Sequence, residues 1–396
     1  MELTGKFFTP IQPAFQQDIS QIDYTPISAT GRPSPTEILD ATKDPIMDKA
    51  MGCFMGMLVG DTLGAPLEFI SPRYRHQAFL EYPDMEYHSP YNKFGINLGQ
   101  WTDDSSMGLC LADSLLLCQG FDGADVRRRF YTWWFHGYNN AFRLEEKRLR
   151  RTSVGLGYGV SMSLREMQEE PVSPISNTTS NSGNGSLMRL ASVPIFYLDN
   201  LDDAMKYARL SSLTSHGGSY AGEACVFASY VMVHAMKGKY TSIQHFLDSV
   251  VESYSAICTE PKMLALLAGA ESPTSTEFCW NWKSEDVSIM ETIANRGRRY
   301  NGHPVSDTYF ASYVMDALAV ALHCLYTTNT AMDAIVKAVN YLGDADTTGA
   351  ITGQFAGAFY GYSALDKRVL DAIDSWSNGD HVIRAMLLRR KQYTVV

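Results

Sequence analysis

The chain has 396 residues, 45% of them hydrophobic, and a formal charge of -10 spread without a long acidic block. That supplies a large core in roughly one to three domains. The acidic balance argues against nonspecific nucleic-acid binding, which needs a basic surface, but not against a small anionic ligand held by backbone donors.

Residues 1–43 hold five of the 16 prolines, with Ser, Thr and Gln between them and no helical periodicity. They predict an extended or disordered arm. Yet the arm carries Phe7, Phe8, Phe15, Ile19, Ile22 and Tyr24, so it either packs on its own domain or docks into a partner. Its start, MELTGKFFTP, lacks a basic segment followed by an apolar run, so no secretion signal is read. The seven cysteines are scattered without a CxxC, and Cys53, Cys110, Cys225 and Cys324 fall inside apolar helical patterns. Reduced core thiols and a cytoplasmic location are expected. No uninterrupted apolar run reaches the roughly 18 residues of a membrane span.

Helical patterns dominate from residue 44. In DPIMDKAMGCFMGMLVGD, Asp44 is the expected N-cap and Pro45 the first helical residue. Gly52, Gly56 and Gly60 then recur every four residues, a stripe that lets another backbone approach closely. In TDDSSMGLCLADSLLLCQG, Thr102 is the expected cap, and Met107, Leu111, Leu115 and Cys118 form one face. Further helices are expected over about 122–136, 155–168, 201–212, 219–236, 242–256, 286–295, 308–326 and 330–341. The last pattern, GAITGQFAGAFYG, repeats the glycine stripe at Gly349, Gly353, Gly357 and Gly361. Strand patterns are scarce, so residues 44–396 are expected to form one all-α domain. The polar stretch 171–185 reads as a long loop of the kind that often carries function.

Two clusters carry more oxygen than a helix cap needs. Thr102, Asp103 and Asp104 precede one helix; Asp344, Asp346 and Thr347 open another about 240 residues later. Capping would account for either cluster alone. Together they place four carboxylates whose mutual repulsion and burial need compensation. Oxygen ligands without His or Cys suit Mg2+, Mn2+ or Ca2+ rather than Zn2+, and two divalent cations would balance four charges. SGNGSLMR adds a bare backbone at Gly183 and Gly185, with Ser186 placed to cap a following helix and form a phosphate site. His216, beside Gly217 and Gly218, is either structural or a ligand contact. Asp61 lies at the end of the first glycine-striped helix, and Glu68 follows one turn beyond Gly64.

The segments GDTLGAPLE, WTDDS, GNGSLMR, SLTSHGG and GDADTTGAITGQFAGAFYG, in this order over about residues 48–365, resemble the ADP-ribosylglycohydrolase family. The resemblance implies an orthogonal all-α bundle with a binuclear Mg2+ or Mn2+ centre that removes ADP-ribose from modified proteins, often from arginine. It implies Thr102, Asp103, Asp104, Asp344, Asp346 and Thr347 as metal ligands. Gly185, Ser186, Leu187 and His216 become phosphate contacts, Glu68 lies near the ribose and the entrance, and Asp61 gives support behind the ligands. With Asp103 and Asp346, Glu68 makes up the expected catalytic set. Arginine-specific members often carry an FDIG-like segment. The nearest counterpart, SVGLGYG, puts Gly155 at its acidic position, which would remove an accessory carboxylate and leave Glu68 with more of the work. The arm resembles that of immunity proteins whose N-terminal extension plugs an ADP-ribosyltransferase toxin. Two functions follow: reversal of protein ADP-ribosylation, or non-catalytic binding of a toxin or of ADP-ribose. The expected partners are an ADP-ribosylated protein and such a toxin, not nucleic acid or membrane.

Overall fold

The computed structural model describes residues 33–72, 79–89, 91–167, 172–177, 182–269, 280–285, 299–300, 303–304 and 307–391. The aromatic part of the arm, the helix expected over 286–295 and part of the 171–185 loop lie outside the described residues.

The chain is all-α, as expected. Its helices are α1 (Pro35–Ala41), α2 (Pro45–Gly64), α3 (Asp103–Leu117), α4 (Gly123–His136), α5 (Tyr158–Arg165), α6 (Ser192–Phe196) and α7 (Leu201–Leu213). Next come α8 (Ser219–Lys237), α9 (Ile243–Ser255), α10 (Pro261–Ala268), α11 (Val314–Tyr326) and α12 (Ala331–Val339). The series ends with α13 (Ala345–Tyr360), α14 (Lys367–Ser377) and α15 (Asp380–Arg390). Three 3-10 turns (Ala65–Leu67, Asp307–Tyr309 and Tyr362–Ala364) and two short antiparallel pairs complete the described elements, the pairs being Leu80–Glu81 with Glu86–Tyr87 and Arg299–Tyr300 with His303–Pro304. The end of the arm departs from the expected extended chain. Ser34 and Glu37 form a capping box that starts α1, and α1 rests on α15.

The molecule is built around α2 and α13. Both are apolar all round and almost wholly buried, as a central helix must be. Their glycine stripes face each other in antiparallel order, Gly52 against Gly357, Gly56 against Gly353 and Gly60 against Gly349. A Cβ added at Gly56 would lie 2.1 Å from the Gly353 carbonyl oxygen, and one at Gly353 would lie 1.9 Å from that of Gly56. The backbones therefore touch, and only glycine permits it. The register places the C-terminal end of α2 beside the N-terminal end of α13, where Gly64 meets Ala345. Helices α8, α11 and α12 pack on α13, and α3, α14 and α15 pack on α2.

By composition, Pro45–Leu67 is long and apolar enough to cross a membrane, but 94% of its apolar window is buried inside the protein. It is the core helix. All six described cysteines are free thiols. Helix α5 begins at Tyr158 rather than 155, because Gly155 has φ 92°, outside the helical region. Helix α11 begins at Val314 rather than near 308, after Ala311 at φ 65° and a bridge between Gly183 and Tyr313.

Candidate active site

The residues before α3 and α13, Thr102 and Asp344, make no side-chain cap. Asp44, Asp122, Asn200, Ser242 and Thr330 all cap their helices with a side-chain oxygen. For α3 the reason is non-local. Asp61, from the last turn of α2, accepts from the backbone N–H of Ser105 at 2.9 Å and of Thr102 at 3.0 Å. It satisfies first-turn donors that a local cap would otherwise take. Thr102 Oγ1 is thereby released from the expected capping role. It donates to Asp61 Oδ1 at 2.8 Å and lies 3.2 Å from Asp104 Oδ2 and 3.1 Å from Asp346 Oδ2. Asp344 Oδ2 accepts from Asn184 Nδ2 at 2.9 Å.

The carboxylates converge. Asp61, Asp104 and Asp346 offer oxygens all within 4.8 Å of one another, and so do Glu68, Asp344 and Asp346. Asp346 belongs to both groups and joins them. Glu68 arrives because Phe69 N–H donates to Gly343 O at 2.7 Å while Gly343 N–H donates to Ile70 O at 2.8 Å. All five carboxylates are buried, and Asp103 is buried beside them. Burial, then the charges of Asp346 and Asp344, hold the Glu68 carboxyl well above its usual range. Burial, then Asp346 and Asp61, do the same to Asp103 and Asp104. Asp346 is raised by burial and then by Asp344 and Asp61. None of the six forms an ion pair among the described residues. Asp104 Oδ1 and Glu68 Oε2 are buried without a hydrogen-bond partner. An all-oxygen donor set with uncompensated charge and orphaned atoms fits hard divalent cations. Asp103 falls outside both groups, and the Thr347 hydroxyl has Met188 Sδ as its partner at 3.8 Å.

The expected phosphate segments also meet. A Cβ added at Gly185 would lie 2.9 Å from His216 Cε1, so glycine lets the imidazole pack on the backbone. Ser186 does not cap a helix: turns run from Gly185 to Ala191, and α6 starts at Ser192. Ser186 Oγ instead accepts from Ser212 Oγ at 2.9 Å, while Leu187 is buried with its N–H donating to Asn184 O at 2.8 Å. His216 Nδ1 pairs with Ser215 Oγ at 2.8 Å. Burial, and then Arg189, lower its pKa to about 3, so the ring is neutral.

The family model of ADP-ribosylglycohydrolase matches residues 42–394. The chain belongs to the ADP-ribosylglycohydrolase family. It is 26% identical over 328 residues to an ADP-ribosylarginine hydrolase Tri1 of Serratia proteamaculans, covering 83% of this chain and 75% of that one. It is 28% identical over 337 residues to an ADP-ribosylarginine hydrolase Tri1 of Pseudomonas putida, covering 85% and 76%. A solved ADP-ribosylglycohydrolase-related protein complex superposes with a TM-score of 0.64 at 25% identity, covering 88% of this chain and 99% of that chain.

Around the site of this glycohydrolase stand residues that sequence reasoning did not single out. Asn184 ties the cradle to the carboxylates, donating to Asp344 Oδ2 at 2.9 Å and Ala311 O at 3.0 Å. Arg189 is buried, donating to Gly185 O at 2.7 Å and Ser215 Oγ at 2.6 Å, which fixes the two cradle segments together. Burial lowers its pKa to about 10. Both residues sit inside the GNGSLMR segment, so the signal was present, but their long-range partners were not. Asp61 was read as support, and it also contributes to one oxygen group. Gly155 abuts Asp103: a Cβ there would lie 2.0 Å from Asp103 Oδ1 and 3.0 Å from its backbone nitrogen. The position is part of the site, and it has no room for a carboxylate.

Proposed function

We propose that this glycohydrolase cleaves the bond between ADP-ribose and modified arginine side chains of proteins, using two divalent cations, Mg2+ or Mn2+. The observation that carries the reading is the convergence of buried, unpaired carboxylates at the two helix starts. Thr102, Asp103, Asp104, Asp344, Asp346 and Thr347 would hold the cations. The two Tri1 relatives, named as ADP-ribosylarginine hydrolases, support arginine as the acceptor.

Bound cations would orient the ribose hydroxyls and supply Lewis acidity that makes a water nucleophilic at neutral pH, for attack on an anomeric carbon that gains oxocarbenium character. The chain's own residues do the rest. Gly185, Ser186, Leu187 and His216 bind the phosphates, so that energy gained far from the scissile bond positions it. His216 does so as a neutral ring, with Arg189 behind it as the fixed cation. Glu68, with Oε2 orphaned, stands at the ribose end beside Asp344 and Asp346. Asp61 holds Thr102 in place. Residues 44–396 form the catalytic unit in this reading, and the arm, residues 1–43, blocks an ADP-ribosyltransferase toxin, an immunity role within the cytoplasm. The arm's apolar anchors among prolines support that part.

Release of ADP-ribose from arginine-modified and serine-modified proteins, with Mg2+ and after chelation, tests the activity. Release from the arginine-modified protein, lost on chelation and restored by Mg2+, is expected. Equal release after chelation, or release from the serine-modified protein alone, would overturn the reading.

A further inference from the structure

The rim of the site carries a charged surface that the proposed reaction does not use. Lys93, on the segment before α3, holds its ammonium 3.8 Å above the ring of Phe69, the residue after Glu68. The adjacent carbonyls of Phe94 and Gly95 accept from Arg150 and Arg148 respectively. Segment 147–151 is therefore strapped to segment 93–95, and four residues further on the chain reaches Gly155 beside Asp103. Arg150 is fixed further by lying over the Phe142 ring at 4.2 Å. These contacts turn a run of basic residues into a fixed strip that begins at the mouth of the site.

The strip is a local inversion of sign in a chain of net charge -10. Lys93, Lys147, Arg148, Arg150 and Arg151 face two acids, Glu145 and Glu146. Glu145 is buried beneath and pairs with Arg148. Lys93, Lys147, Arg150 and Arg151 form no salt bridge among the described residues, although Lys93 acts electrostatically on Glu68 and Arg150 on Glu145. Apolar side chains stand exposed among the cations: Leu149 is 66% exposed, at φ 52°, and Leu144 is 41% exposed.

We propose that this strip docks an acidic segment of the modified protein, one with apolar side chains between its carboxylates, next to the ADP-ribosylated residue. The inference rests on the reading that the substrate is a modified protein. Charge complementarity carries it: an excess of cations outside salt bridges, on a segment strapped beside the entrance, favours carboxylates and steers their approach. The exposed leucines favour a peptide over a nucleic acid, whose phosphates give them nothing to cover, and the overall charge repels an extended polyanion.

The test uses the full chain, wild type and Lys147→Glu/Arg151→Glu, with the single variant Lys147→Glu as a check, because Lys147 has no described contact to lose. Three substrates share the same modified arginine: a peptide with acidic and apolar flanks, a peptide with neutral flanks, and free ADP-ribosylarginine. The double variant is expected to raise KM for the acidic peptide about tenfold with kcat kept, and the single variant to raise it less. The other two substrates should be turned over unchanged. Salt at about 0.5 M should erase the wild-type preference, since the Debye length falls to roughly 4 Å. Equal KM values for wild type and both variants on the acidic peptide would overturn the proposal. If wild type hydrolyses none of the three, the activity reading fails. Fluorescence anisotropy of the unmodified acidic peptide then decides the surface alone, with weaker binding to the variants expected and equal binding contradicting it. Displacement of that peptide by an oligonucleotide of equal charge as readily as by unlabelled peptide would also contradict it.

Discussion

Gly155 is held where no side chain fits. Its φ is 92°, and an added Cβ would strike both the carboxylate and the backbone of Asp103. Gly155→Ala should therefore move Asp103 while leaving the core untouched. A displaced support of a metal ligand lowers affinity or activity by about 10- to 100-fold. That loss is expected in ADP-ribose release titrated with Mg2+, with a far-UV spectrum like that of wild type. Full turnover at limiting Mg2+ would mean that Asp103 is not where its role requires it. His216 allows a second prediction, on acid sensitivity. Its pKa drops from 6.5 to about 3 because the ring is buried and, to a lesser extent, because Arg189 is near. Folding therefore excludes a proton that the unfolded chain binds below pH 6.5. The contribution is fully present above that value and shrinks as the pH falls toward 3. His216→Gln should flatten this part of the melting-temperature profile, and an unchanged slope between those limits would show that the ring is not buried in its neutral form.

The register of α2 against α13 decides whether there is a site at all. Gly353→Ala would ordinarily stabilise a helix interior by about 0.5–1 kcal/mol. Here the new Cβ would sit 1.9 Å from the Gly56 carbonyl oxygen, so the sign should reverse. Overpacking of this kind costs about 1–3 kcal/mol, and urea unfolding should show destabilisation of that order together with loss of turnover. A stabilised variant would show that the helices are not in backbone contact. This register was half legible in the sequence. Glycines at intervals of four announce a close approach, and both stripes carry them, but periodicity does not say which residue meets which. The convergence of the two oxygen clusters was legible through their doubled acids, because a cap needs one oxygen and each cluster offers more. The capping itself was misread. Thr102 has the right residue type in the right local place, yet the donors go to Asp61, 41 residues away, and no local rule detects that. Ser186 was placed at a helix start for the same reason, whereas the chain runs through turns to Ser192.

Across the whole molecule, the described site draws on α2, α3, α13 and the loops between them, all of them beyond residue 43. Deleting residues 1–32 should leave hydrolysis of free ADP-ribosylarginine nearly unchanged. In the proposed immunity role, the same deletion should greatly weaken binding to an ADP-ribosyltransferase, measured by calorimetry with the purified transferase. Equal binding by the truncated chain would end the plug reading and leave the arm as part of its own domain. In the proposed centre, sequences about 240 residues apart, Thr102–Asp104 and Asp344–Thr347, hold the cations together. Manganese titration of the chelated protein, read by the loss of free-ion paramagnetic signal, tests it most directly. About two ions bound per chain are expected, as in two-metal sites, and fewer in Asp346→Asn, since Asp346 joins both oxygen groups. Binding no greater than that of an unrelated acidic protein, or an Asp346→Asn variant that takes up as many ions as wild type, would contradict it.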